Sequence, residues 1–472
     1  MASRTVRSSA RPGDTARLYH RLSSYAYVPA ELDPRPASHP LVRQDFVRND
    51  LPTFPAPFKS YPPGLPRVAL PRTWSSPEIA ASAVVAGRPA PASNTLDLAQ
   101  IARLLYLSAA FVRFAERTDG RRFFFRTSRS AGGLFPLELY VAARGVGGLV
   151  DGVHWYDPLR HGLVQVGPPP AGDATAMIVT GVPWRTGWRY AERAFRHLYW
   201  DAGTTLAQAL ALADSAGLGA RLWTRFPDAE VARLVGADGV QEFPLAFVTL
   251  GEGAPAIWSG GKSMAGSVAE SPVEFPLVTL AQRAGDSGYL GEPWPASIPL
   301  PGEPPQAADL DGVIVRHRSA RVMDANAVLA NETFARCVAL GLRGSKLPTF
   351  VAIHAVEGIE PGLYRWPNLD RPIRAGLLRD ELFRVCWDQD LGRDAAFVVI
   401  SAVHLDGLED RGYREAQLQA GLVDGRLHLG AYALEIGASG MTFLDSEIES
   451  LVGEPLAGLL LTCVGQRTPR VS

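Results

Sequence analysis

GVHWYDPLRHGLV at 152–164 and GLYRWPNLDRPIR at 362–374 align without a gap, and that alignment decides the fold. The first piece, continued to Val166, is aromatic and β-branched and is broken by Asp157-Pro158, so it reads as a hairpin. Further along, ERAFRHLYWDAG (192–203) aligns with DRGYREAQLQAG (410–421), matching Arg193 with Arg411, Arg196 with Arg414 and Gly203 with Gly421. Gly219-Ala220 then falls on Gly437-Ala438, and LVG closes both copies at 234–236 and 451–453. A period of about 210 residues is too long for a solenoid repeat and reads as a duplicated domain. Two self-associating copies fused in one chain predict an internal pseudo-dimer.

The flanking patterns agree with a repeat. In the first copy a helix opens near Thr95 behind a Thr or Asn cap, followed by a strand at 137–144, the hairpin, a long helix at 200–218 and a buried strand at 244–253. The second copy repeats the order: helix 326–342, strand 349–356, hairpin 362–374, strand 395–403, helix 414–434 and a final apolar strand at 458–464. Ahead of them lie a short helix at 14–27 with Asp14 as candidate cap and a proline-rich stretch at 50–73 expected to hold no regular structure. The expected divisions are 1–73 (helix and extended segment), 74–253 (first domain), 254–310 (Gly/Pro-rich linker) and 311–472 (second domain). The linker reads equally as a loose tether or as a strap packed over the site.

The chain has 472 residues with 47 Lys+Arg against 48 Asp+Glu, and this balance removes any global electrostatic case for nucleic-acid binding. No apolar run approaches the roughly 18 residues of a membrane span, and the N-terminal stretch has no apolar signal-peptide core, so a soluble cytoplasmic chain is expected. Cys337, Cys386 and Cys463 lie too far apart for a metal-ligand spacing; no metal site is expected, and the thiols read as buried and inert.

Three stretches can carry chemistry. RTSRSAGGLFPLELY (126–140) is a small-residue loop running into a strand, which either lets backbone N–H groups approach a flat or anionic ligand or is an ordinary glycine turn. RHRSAR (316–321) suits bidentate phosphate recognition, or is a solvated basic cluster. WRTGWRYAERAFR (184–196) is a packing and ion-pair surface, or it aims Arg189 and Tyr190 into a pocket.

Taken together, SRSAGGLFPLELYV, the aromatic hairpin, WRTGWRYAERAFR and the DAG helix resemble the SagB-type dehydrogenases of the FMN-dependent nitroreductase superfamily, over about 95–253. Residues 311–468 resemble a more divergent nitroreductase domain. The resemblance implies an α+β fold of two tandem nitroreductase-like domains, each a mixed, mainly antiparallel sheet flanked by helices. Such proteins hold FMN at a subunit interface, with an arginine–serine segment and a C-terminal basic residue on the phosphate and the partner's serine-alanine-glycine loop over the flavin. Here the first half has the loop, while its phosphate segment has become PRTWSSP (71–77). The second half has HRSAR (317–321), with only RGSKLP (343–348) where the loop belongs.

One composite FMN site per chain is therefore expected, with the reciprocal site dead. Arg318, Ser319, Arg321 and Arg467 would hold the phosphate, and Ser128, Ser130, Ala131, Gly132 and Gly133 would cover the flavin. Gly437, Ala438, Ser439 and Gly440 would run along the ring edge; they also read as a helix C-cap and tight turn, and the two readings are compatible. Arg189-Tyr190 stands where the family carries a Lys-Tyr pair for proton handling, with Tyr190 the better base once a cation lowers its pKa, unless it is a packed interface aromatic. Tyr413 and Arg414 are the second choice.

The resemblance implies a peptide substrate, azoline-to-azole oxidation, molecular oxygen as electron acceptor, and a cyclodehydratase partner. The chain would act as a monomeric pseudo-dimer or as a homodimer, without nucleic acid or membrane. The rivals are a generic NAD(P)H-dependent nitro- or ene-reductase and a non-catalytic scaffold that docks a peptide or partner enzyme.

Overall fold

Gly203 and Gly421 meet where the two longest helices cross, and the whole architecture is arranged about that contact. The structure, a computed structural model, describes residues 11–26, 39–77, 79–93, 95–116, 122–258, 260–302, 309–316 and 318–468. The rest of the expected 1–73 and 254–310 segments, Asn94 as candidate cap, His317 and the last four residues lie outside the described residues. The helices Ala194–Ser215 and Asp410–Ala433 are buried over most of their length, and each offers a bare backbone to the other. A Cβ on Gly203 would stand 2.4 Å from the Leu418 carbonyl oxygen, and one on Gly421 would stand 2.5 Å from that of Trp200.

A seven-stranded sheet serves the first half, in the order Arg67–Ala69, Gly162–Gly167, Gly152–Asp157, Leu137–Ala143, Thr175–Gly181, Phe243–Leu250, Arg221–Trp223. A six-stranded sheet serves the second: Arg374–Ala375, Gly362–Arg365, Thr349–Ile353, Phe397–Val403, Ala457–Gly465, Gly437–Met441. The two windings are the same strand for strand, apart from Arg67–Ala69, which is added at one edge. Even the register repeats. Tyr140 faces Trp155, and Phe350 faces Arg365, the same pair displaced by one repeat. The central strands Leu137–Ala143, Thr175–Gly181, Phe243–Leu250 and Phe397–Val403 are buried on both faces, which explains their continuous rather than alternating apolar sequence. LVG ends a short helix in both halves, with Gly236 at φ 73° and Gly453 at φ 72°, a left-handed C-cap that glycine adopts without a Cβ penalty.

The matched arginines tie the halves together reciprocally. Arg193 and Arg196 both bind Asp445 of the second half, while Arg411 and Arg414 both bind Asp228 of the first. These charges are almost wholly buried, so each carboxylate is needed to offset two guanidiniums taken out of water. The three cysteines are buried and free. No helix among the described residues is long and apolar enough to cross a membrane.

Several local expectations are corrected. The first helix runs Asp14–Ser23 and starts after Gly13, while the Asp14 carboxylate accepts from the Arg11 N–H instead of capping. Asp97, not Thr95, caps Leu98–Ala109, in a capping box with Gln100. The apolar run beyond that helix leaves it and becomes Phe111–Glu116, paired with Arg122–Arg126. The proline-rich stretch carries the short edge strand Arg67–Ala69 and is pinned by Lys59, whose buried ammonium binds Glu242 and the Tyr140 hydroxyl. The linker is a strap: helix Pro276–Ala284 buries Leu277 and Val278, and beyond it the Trp294 N–H donates to Leu222 O at 2.6 Å.

Candidate functional site

The small-residue loop of the first half is clasped by a carboxylate from each central helix. From its own helix, Asp201 accepts the Ser130 hydroxyl at 2.6 Å and the Ala131 N–H at 3.1 Å. Ser130 Oγ in turn accepts the Phe135 N–H at 2.9 Å, so the turn Ala131–Gly133 is closed on both sides. Burial pushes the Asp201 carboxyl up to about 7, against the pull of its two donors. From the other half, Asp424 pairs with Arg129 and accepts the Thr462 hydroxyl at 2.8 Å and the Thr204 hydroxyl at 3.3 Å. Burial raises the Asp424 carboxyl, but Arg129 and His428 outweigh it and hold the group well below the usual carboxylate range. Ser128 is buried under the loop, and Gly132 and Gly133 are exposed at its crest.

The arginine segment of the second half lies on the same side. Arg129 Nη1 donates to Ser319 Oγ at 3.4 Å, so the loop of one half touches the arginine segment of the other. Arg318, Ser319 and Arg321 are exposed, and neither Arg318 nor Arg321 has a carboxylate partner among the described residues. The Ala320 N–H donates to the Ala438 carbonyl at 3.0 Å, which lays this segment along Gly437–Met441. GASG is thus an edge strand: the preceding helix ends at Ala433, and the C-cap reading does not hold. A side chain at 437 would strike Arg467 Cγ at 2.5 Å and Ala320 Cβ at 3.1 Å, so its bare backbone is what lets these groups converge. Arg467 lies over the Tyr432 ring, 5.3 Å from its centroid. Ser439 is buried, and Gly440 is exposed above Asp424.

Arg189 and Tyr190 end the helix Pro183–Tyr190 beside the same loop. A Cβ on Gly132 would meet the Tyr190 hydroxyl at 3.0 Å and Arg189 Nη1 at 3.2 Å. Arg189 Nε donates to Asn49 Oδ1 at 3.2 Å, and the Tyr190 ring stacks on His197 at 3.9 Å. Burial pushes the Tyr190 phenol up to about 12, and Arg189 offsets only part of this. That corrects the expected lowering: a half-buried phenol loses more from desolvation of its anion than one cation returns. Tyr413 and Arg414 stand elsewhere. Tyr413 is core, against Tyr19 and Phe195, and Arg414 belongs to the Asp228 cluster.

The corresponding segments of the other halves are bonded within the chain. Within PRTWSSP, Trp74 Nε1 and Ser76 Oγ donate to Asp311 at 2.9 and 2.7 Å, and Arg103 neutralises that carboxylate. In RGSKLP, Arg343 donates to the carbonyls of Val85 and Ser297. Asp201, Asp424 and Arg129 escaped the sequence reading. Asp201 and Asp424 are each one of several polar residues on their helices, so nothing in the sequence sets them apart, and Arg129 shows only as a basic residue inside a run of small ones.

No family model matches the chain. A chain of Methanocaldococcus jannaschii, provisionally named a nitroreductase, is 28% identical over 174 residues, 34% of this chain and 82% of its own length. A crystal structure from Anabaena variabilis, also provisionally named a nitroreductase, superposes over 96% of this chain and 99% of its own with a TM-score of 0.69 at 22% identity. The microcin synthetase complex of Escherichia coli, holding a truncated pro-peptide, matches 51% of this chain at a TM-score of 0.30, too remote a likeness to carry a substrate. The fold is therefore nitroreductase-like, as two tandem domains in one chain.

Proposed function

We propose that the chain is an FMN-dependent oxidase that converts azoline rings of a peptide to azoles, with its one cofactor site divided between the halves. The observation that carries this reading is the contact of Arg129, in the first-half loop, with Ser319, in the second-half phosphate segment. The residues fit the group: guanidiniums without carboxylate partners among the described residues suit a phosphate dianion, and the exposed glycines at 132, 133 and 440 leave backbone open where a flat ring would lie.

Arg318, Arg321, Ser319 and Arg467 would hold the phosphate, and Ser128, Ser130 and Ala131 to Gly133 would cover the ring. The strand Gly437, Ala438, Ser439, Gly440 would line its edge. Bound FMN supplies the hydride acceptor, and molecular oxygen takes the electrons onward as hydrogen peroxide. Aromatising an azoline also removes a proton from the neighbouring carbon, and Tyr190 is the group beside Gly132 able to take it. Its raised pKa keeps it protonated at neutral pH, so its work as a base calls for the phenolate, which Arg189 stabilises.

The test is to incubate the purified chain in air with an azoline-bearing peptide and follow the mass. We expect two hydrogens lost per ring, abolished in Arg318→Ala/Arg321→Ala together with the bound flavin absorbance. Tyr190→Phe should keep the flavin and lose on the order of 100-fold in kcat. An unchanged peptide, with rapid NAD(P)H-dependent reduction of nitroaromatics instead, would move the reading to a generic reductase. A colourless protein that takes up no FMN would leave the scaffold. The cyclodehydratase partner remains part of the proposal on the strength of the sequence resemblance.

A further inference from the structure

Arg129 reaches from the loop of the first half to the arginine segment of the second, where it bonds Ser319. Its guanidinium is divided: one terminal nitrogen pairs with Asp424, the other donates to Ser319 Oγ at 3.4 Å, and the buried Nε finds no acceptor among the described residues. The pair is largely withdrawn from water, with Arg129 15% and Asp424 4% exposed at the side chain. Asp424 is itself fixed from both halves, by Thr204 on the first central helix and Thr462 on the closing strand of the second sheet. It also lies under Gly440, 3.0 Å from where a Cβ would stand, so one carboxylate touches the edge strand, both halves and the loop arginine.

This arrangement does more than cross-link. A surface ion pair would be worth little and would hold nothing in register. A forked guanidinium anchored on a buried carboxylate, with a serine at its exposed tine, sets the separation of the loop and the arginine segment. We propose that Arg129 is a positioning residue that couples cofactor binding to the docking of the two halves, by holding Ser319 and the loop at one fixed separation through Asp424. The role rests on the flavin reading above. It predicts linkage: a ligand that bridges loop and phosphate segment is bound more tightly when Arg129 has set them, and it stabilises the docked chain in return.

The experiment uses the full chain stripped of flavin, with FMN affinity followed by quenching of flavin fluorescence and unfolding by thermal melts with and without FMN. Arg129→Met should bind FMN at least tenfold more weakly while still folded at the assay temperature, and its FMN-induced rise in Tm should shrink in step. Arg129→Gln should do the same, and serves if the methionine variant does not fold. Asp424→Asn should weaken FMN similarly, and the double variant should be no worse than the poorer single one, since both remove one clasp. A purely structural ion pair would lower the Tm of the flavin-free chain and leave FMN affinity unmoved. Affinity within twofold of the parent, in whichever variant folds, would overturn the proposal. A parent chain that takes up no FMN would overturn the functional reading itself, and this role with it.

Discussion

Asp201 has a carboxyl raised to about 7 by burial, beside Ser130 and Ala131 of the loop. A folded pKa above the unfolded value means the native state binds the extra proton between about pH 4 and 7. The stability this group contributes is therefore complete at low pH and is lost as pH rises through 7. Asp201→Asn removes that dependence, so the Tm of the variant minus that of the parent should grow from pH 4 to 7 and level off near pH 8. A difference that stays flat across this range would mean the carboxyl titrates normally. At this scale the loop was legible and its anchors were not. Ser130 to Gly133 announce themselves as consecutive small residues, whereas Asp201 shares its helix with Asp214 and Asp424 shares its helix with Asp410 and Glu415, and only the fold shows which of these acids lies buried against the loop. The Tyr190 pKa ran against expectation for the same reason, since burial is a property of packing and not of neighbours in sequence.

The paired helices were legible as elements because their spacing is duplicated: the same offset that aligned Arg193 with Arg411 aligned the two crossing glycines. Hydrophobic periodicity also located the central strands. It failed at Phe111–Glu116, where the apolar run of the preceding helix continues unbroken into a strand and no glycine or proline marks the change. It failed again in the proline-rich linker, where the short apolar run of helix Pro276–Ala284 lies amid glycines and prolines, and much of the remaining order comes from backbone bonds to the first half that leave no pattern in the side chains. The crossing itself can be tested. In Gly421→Val the new Cβ would stand 2.5 Å from the Trp200 carbonyl oxygen and 3.0 Å from Gly203 Cα, contacts with backbone that no rotamer relieves. We expect a loss of about 3 kcal/mol by denaturant unfolding. A similar substitution at exposed Gly133, where nothing lies within 4 Å, meets only its positive φ and should cost about 1 kcal/mol. Equal losses at the two positions would show that the helices can slide apart.

A symmetric pseudo-dimer has two equivalent clefts, and the molecule treats them differently. At the first, the edge strand Gly437–Met441 presents Gly440 to solvent, and Arg318 and Arg321 have no carboxylate partner among the described residues. At the second, the counterpart of Gly440 is Leu222, which is buried, and its carbonyl is already taken by the Trp294 N–H of the strap. There Trp74 and Ser76 of PRTWSSP spend their donors on Asp311, and Arg343 spends its own on the strap carbonyl of Ser297. On the proposed reading each half is free to lose what the other supplies, which a homodimer cannot do, because any substitution in its one gene falls on both sites. Independent decay would have struck both clefts; here one keeps loop, arginines and bare edge together. Flavin absorbance per chain, measured after saturation with FMN and gel filtration, should therefore settle at about one equivalent, and Arg318→Ala/Arg321→Ala should take it to none. A value near two would mean the strap yields to the cofactor, and the asymmetry between Gly440 and Leu222 would then carry no functional weight.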